Sequence, residues 1–137
     1  TSEIAQRNLK EIEELIEESR NKIEAEGIAK IPVLVQFFLK PLSEELDLKI
    51  SGIFGPRQLE AFDIQELMQY DFEMIIDNAH NPWGQPLAES KGDVKIAYLM
   101  NFPGMNNTHS IADVIRKNVE AIINAYKESN WISFLSI

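Results

Sequence analysis

The sequence predicts a three-layer α/β domain: a four-stranded, mostly parallel sheet with helices on both faces, preceded by a long helix. Three observations predict it. Short apolar runs recur at Val33 to Gln36, Ile50 to Phe54, Met74 to Ile76 and Val94 to Met100. Segments of helical periodicity separate them, which is the pattern of βαβ units and a parallel sheet. The first run is apolar on successive residues, as a strand covered by helices on both sides should be. From Leu48 to Asn101 the chain reads strand, helix, strand, helix, strand, and the rest packs around that stretch.

The elements follow in order. Thr1 or Ser2 caps a helix with Glu3 in its first turn. Ile4, Leu9, Ile12, Leu15, Ile16 and Ile23 recur at helical spacing, and Glu, Lys and Arg fill the opposite face. The helix runs to about Ala25, with Gly27 ending it. Such a long, one-striped helix suits an outer layer or a bridge between two lobes. Pro32 introduces the first strand, Val33 to Gln36, and Pro41 opens a short helix to Leu46. Lys49 to Phe54 is strand two, broken by Gly55-Pro56. Asp63 is expected to cap the next helix, with Glu66 three residues later, and the helix ends near Tyr70. Glu73 to Ile76 is strand three. A polar loop from Asp77 to Pro86 leads to a short helix, Pro86 to Ser90, and to strand four, Val94 to Met100. Thr108 or Ser110 caps a last long helix striped by Ile111, Val114, Ile115, Val119, Ile122, Ile123 and Tyr126. The tail from Trp131 to Ile137 is apolar enough to need packing on the domain.

At 137 residues the chain fits one domain with a real core. Its net charge of −9 opposes phosphate backbones and anionic membrane surfaces, so nucleic acid is not an expected partner. There is no cysteine, which removes disulfides, thiolate metal sites and cysteine nucleophiles. No apolar run approaches the roughly 18 residues of a membrane span. The start at Thr1-Ser2-Glu3, with no signal peptide, is expected to be a processed end or part of a longer protein.

In a parallel sheet, function sits on the loops after the carboxyl ends of the strands. Phosphate loops and nucleophile elbows are absent there. The paired acidic residues of a receiver domain are also missing after strand one. His80 follows strand three and His109 precedes the last helix. As metal ligands they would draw on Asp77, Glu60 or Asp113; as ordinary residues they would be a loop histidine and a neighbour of a cap. Trp83 is either a ligand-contacting aromatic or a cover over core. Glu60 with Asp63 could serve acid–base chemistry, but three-residue spacing at a helix start is far more often capping.

The ordered features resemble one family. Asn8 to Leu15, Ile31 to Leu48, Glu60 to Leu67 and Ile111 to Glu120 are similar to successive segments of the C-terminal lobe of zinc/manganese-type solute-binding proteins of ABC transporters. These are clamshell proteins with a long backbone helix, to which residues 1–27 would contribute. The resemblance implies a non-catalytic, extracytoplasmic lobe that captures a metal ion or small solute in an interlobe cleft. Its partners would be an N-terminal lobe and a membrane permease. No cofactor is implied beyond zinc or manganese as transported ligand. The family's metal ligands in this lobe fall on Gln36, at or beside Glu60, and near Asn101 and Phe102. Only Glu60 keeps a metal-capable side chain, with His80 as a substitute, so the metal set would be Glu60 and His80. The expected ligand-binding residues are Gln36, Glu60, His80 and Asn101. Amides at Gln36 and Asn101 suit hard ions or hydrogen-bonded ligands better than zinc. Asp63 to Ile76 is also similar to siderophore- and cobalamin-type solute-binding proteins, and a small flavodoxin-like enzyme is the reading from another class.

Overall fold

The computed structural model describes residues 2–92, 94–104, 108 and 110–135, with side chains as far as 128. Five α-helices and four strands alternate: α1 (Ser2–Ala25), β1 (Pro32–Gln36), α2 (Lys40–Glu45), β2 (Lys49–Phe54), α3 (Ala61–Leu67), β3 (Met74–Asn78), α4 (Gln85–Lys91), β4 (Lys95–Leu99) and α5 (Ile111–Leu135). The sheet order is β2-β1-β3-β4 and every pairing is parallel. The fold is therefore the three-layer α/β arrangement, with a wholly rather than mostly parallel sheet.

Alternation along the strands builds both layers. Val33, Val35, Met74, Ile76, Ala97 and Leu99 point to one face and bury against Ile23 of α1 and Ile115, Val119 and Ile122 of α5. Leu34 and Ile75 point to the other, against Phe54, Leu67 of α3, Phe72 and Leu87 of α4. Full burial of each such side chain stabilises by roughly 1.5–3 kcal/mol, which is why a strand with no polar interior position holds the centre.

Several element ends differ from the sequence reading by a residue or two, and three differences bear on the site or the last helix. β3 runs on through Asp77 and Asn78, which stay in register with Tyr98 and Leu99. Hydrogen bonding to β4 outweighs the low strand propensity of two polar residues. Helix α3 starts at Ala61, so Asp63 sits in its first turn instead of capping it, and the helix ends at Leu67. The reason is that Asp63 Oδ2 accepts the Glu60 N–H at 2.9 Å while the carboxylate also holds Arg57. Of the two caps offered for α5, Ser110 serves, as expected: its hydroxyl accepts the Asp113 N–H at 3.2 Å. Finally, the α5 backbone stays helical through Leu135. The packing of the Trp131 to Ile137 side chains lies outside the described residues, as does His109.

Helix α1 is longer than the sheet it covers. Twenty-four residues make about 36 Å of helix, against about 17 Å for a five-residue strand. Its C-terminal half carries the contact with the core through Ile12, Leu15, Ile16, Ser19 and Ile23. Residues 2–11, about 15 Å of helix, are all exposed and project beyond the part of α1 that packs on the core. Gly27, in the left-handed region at φ 83°, turns the chain back toward β1. No described helix is long and apolar enough to cross a membrane.

Candidate functional site

The strand order reverses direction between β1 and β3, because β1 leads outward to β2 and the chain then crosses back to β3. A crevice outside the carboxyl ends forms at such a switch point. Gln36, Asp77 and Asn78 end the two strands there, and all three are fully buried.

Asp77 builds the loop that follows. Its Oδ1 accepts the backbone N–H of Asn78 at 2.8 Å and of Trp83 at 3.3 Å, and its Oδ2 accepts that of Gly84 at 2.7 Å. Burial pushes the carboxyl above its ordinary range, and the three donors only partly offset it. A side chain at position 84 has no room: a Cβ there would lie 2.9 Å from Asp77 Oδ2 and 3.1 Å from Ile75 Cγ2. The Tyr98 hydroxyl on β4 is likewise pushed up, by burial and by the charge of Asp77.

Asn78 joins the loops after β3 and β4. Its Oδ1 accepts the His80 N–H at 2.8 Å, and its Nδ2 donates to Asn101 Oδ1 at 3.3 Å. Asn118 does similar work from α5: its Oδ1 accepts the Met100 N–H at 2.8 Å and its Nδ2 donates to the Met100 carbonyl at 2.7 Å. One buried side chain thus satisfies both backbone groups where β4 ends.

Three polar atoms at this crest are buried with no partner among the described residues: Gln36 Nε2 and both ring nitrogens of His80. Gln36 Oε1 is used, accepting the Phe38 N–H at 2.9 Å. The His80 ring lies 3.8 Å, centroid to centroid, from that of Phe102, tilted by 32°. Each unpartnered nitrogen costs about 1–3 kcal/mol, whereas an aromatic pair returns about 0.5–1.5 kcal/mol. These atoms need partners that the described residues do not supply.

Of the expected site residues, His80 and Asn101 are joined through Asn78, and Gln36 ends the neighbouring strand β1 at the same edge. Glu60 does not join them. It is exposed at the start of α3, beyond the outermost strand, where its N–H bonds to Asp63. Arg57 grips Asp63 at 2.7 and 2.8 Å. Those bonds hold the Asp63 carboxyl below its ordinary range, the Glu60 N–H foremost and Arg57 next. Glu60 follows β2 and His80 follows β3, with β1 between the two strands. Among the described residues no three His, Asp or Glu side chains form a metal-holding group. Trp83 packs against the core, its ring against the backbone of Gly55.

Asn78 and Asn118 were not singled out as site residues from sequence; Asp77 entered only as an accessory metal ligand and Phe102 only as a neighbour of Asn101. A signal existed for three: two polar residues directly ending an apolar strand, and one Asn between Ile115 and Val119 on the apolar stripe of α5.

Exposed apolar side chains mark the same edge. Among the described residues nine large hydrophobics are exposed. Seven of them ring the carboxyl edge: Phe37 and Phe38 after β1, Phe62 opening α3, Phe102 after β4, Ile111 opening α5, and Ile4 and Leu9 on the projecting part of α1. A groove lined by Ile53, Leu59, Asp63, Glu66 and Tyr70 flanks β2 and α3, apart from the crest. No protein-family model and no curated protein matches the chain.

Proposed function

We propose that this domain is one lobe of an ABC-importer solute-binding protein, and that its carboxyl edge is one wall of an interlobe ligand cleft. The observation that carries the reading is the ring of seven exposed hydrophobic side chains around a crest of buried, unpartnered polar groups. Apolar surface of this kind, gathered on one edge, belongs against another body. The exposed half of α1 projects beyond its packed part and serves as the bridge to it. Gln36, His80 and Asn101 supply hydrogen-bonding groups to a small solute or an ion, and Phe37, Phe38 and Phe102 supply aromatic faces. Closure of a second, N-terminal lobe over the crest completes the ligand shell, and the closed form is what an extracytoplasmic face of a permease would read.

Half a shell binds weakly. Calorimetric titration of the 137-residue chain with zinc and with manganese is expected to give dissociation constants no tighter than about millimolar. Adding the second lobe, in the full-length protein, is expected to tighten binding of the solute. Micromolar binding of either metal by this chain alone would overturn the half-site reading.

The order β2-β1-β3-β4 is also that of flavodoxin-type sheets. Against that enzyme reading, Phe37 and Phe38 occupy the loop after β1 where a phosphate needs hydroxyls and free backbone N–H groups. A flavin absorbance in the purified chain would reverse the preference.

A further inference from the structure

We infer that Asn78 is a positioning residue that leaves the NH2 end of Asn101 as the group a solute meets, so that the solute offers an uncharged carbonyl oxygen and is not a metal cation. The inference rests on the solute-cleft reading for the solute, but not for the order of the two amides.

A chain of hydrogen bonds fixes that order. A backbone N–H can only donate, so the atom that accepts the His80 N–H at 2.8 Å is the oxygen of Asn78. The other end of Asn78 is then its NH2 group, which can only donate. It donates to Asn101 at 3.3 Å, so the atom it meets there is the Asn101 oxygen. What remains of Asn101 is an NH2 group on an exposed residue, with no partner among the described residues. Turning Asn101 over would set two donors against each other. Asn78 is itself fully buried and bonded at both ends, so it holds the order.

The end of β1 repeats the arrangement. Gln36 gives its oxygen to the Phe38 N–H at 2.9 Å, and its Nε2 is the end left without a partner. Asp77, directly before Asn78 in the chain, gives both carboxylate oxygens to the N–H groups of Asn78, Trp83 and Gly84. A hard cation needs such oxygens, and here each is already spent on the protein. The amide ends left over are donors, which an acceptor oxygen satisfies and a cation does not. Charge decides between a neutral and an anionic acceptor. A buried carboxylate stands next to Asn78 and the chain carries a net charge of −9, so the uncharged carbonyl is favoured.

Side-chain amide signals in nuclear magnetic resonance spectra of the native 137-residue chain test both parts. The order is read first, with no solute present. Asn78→Asp keeps the acceptor for the His80 N–H and removes the donor to Asn101. The Asn101 amide is then expected to turn over, and its NH2 protons to exchange with water roughly fivefold more slowly, the factor that one side-chain hydrogen bond returns. Unchanged Asn101 exchange in this variant, folded by circular dichroism, would overturn the positioning role. Should the variant lose the fold, Asn101→Asp at the exposed position takes its place. It gives the Asn78 NH2 a carboxylate partner, and exchange of that NH2 is expected to slow; an unchanged rate would overturn the role. Acetamide, acetate and calcium are then added separately to the wild type. Acetamide is expected to shift the Asn101 NH2 signals more than those of Gln6 on the exposed part of α1, and calcium to leave them in place. A calcium response, no acetamide response, or a larger response to acetate would overturn the solute class. The exchange measurement uses no solute, so its failure leaves the cleft reading standing. Micromolar metal binding in the calorimetric titration removes the cleft reading and leaves the order of the amides standing.

Discussion

Two loops on the same edge of the sheet are each tied down by an aspartate, and the two carboxyls shift in opposite directions. Asp77 accepts three backbone N–H groups and carries a raised pKa; Asp63 accepts one, with Arg57 alongside, and carries a lowered one. Both accept hydrogen bonds that favour the charged form. What differs is position. Asp77 ends a central strand with no solvent exposure, so desolvation outweighs its bonds. Asp63 stands on an exposed helix start beyond the edge strand, where bonding and the guanidinium dominate. The pairing teaches that the loop carrying His80 is held by a carboxylate at a standing cost, while the loop carrying Glu60 is held cheaply.

The sharpest way to break this comparison is Asp77→Ala. It strands the buried N–H groups of Asn78 and Gly84, and unfolding in urea is expected to show a loss of about 2–4 kcal/mol. A loss under about 1 kcal/mol would mean the loop does not depend on the carboxylate. Next comes Asn118→Ala, which leaves both backbone groups of Met100 unpaired and is expected to cost about 2–3 kcal/mol. Gly84→Ala drives a methyl against Asp77 and Ile75 and is expected to cost about 1–3 kcal/mol. In the pair of Gly84→Ala and Asp77→Ala the two costs should fall short of their sum, since both act on one contact. Asp63→Ala is expected to cost less than any of these, visible as a small drop in unfolding midpoint.

The pH dependence sharpens the contrast further. Asp77 binds its proton more readily folded than unfolded. Its charged form therefore weakens the fold, and this loss sets in as pH rises from the ordinary carboxylate value through the raised one. Asp63 behaves oppositely: its contribution is present above the ordinary value and is lost as pH falls through the lowered one. Stability of wild type minus Asp77→Asn should fall with rising pH in the acid range. Wild type minus Asp63→Asn should rise. Slopes of the same sign in urea titrations would remove the distinction drawn between the two loops.

Much of the scaffold was legible because its causes are local. The period-two and period-3.6 patterns, Pro32, Gly27 and Gly55 punctuate the chain where the elements begin and end. The placing of Gln36 and Asn101 at strand ends was legible too, since a parallel sheet sends the loops after its strands' carboxyl ends to one edge. Glu60 was grouped with them through the family resemblance; that it follows the outermost strand, β2, depends on which strand pairs with which. The roles of Asn78 and Asn118 were hidden for a similar reason. A polar residue in an apolar stretch announces that it needs a partner without saying where the partner is.

The sequence by itself determined the alternation of strands and helices, the long first helix and the polar character of the strand ends, because short-range periodicity and steric limits act between residues close along the chain. Only the tertiary structure decided that Asp77 is desolvated, that Asn78 reaches Asn101, and that Phe102 lies over His80. Those contacts join residues brought together by sheet order and helix packing, and their energies depend on burial that no single segment possesses alone.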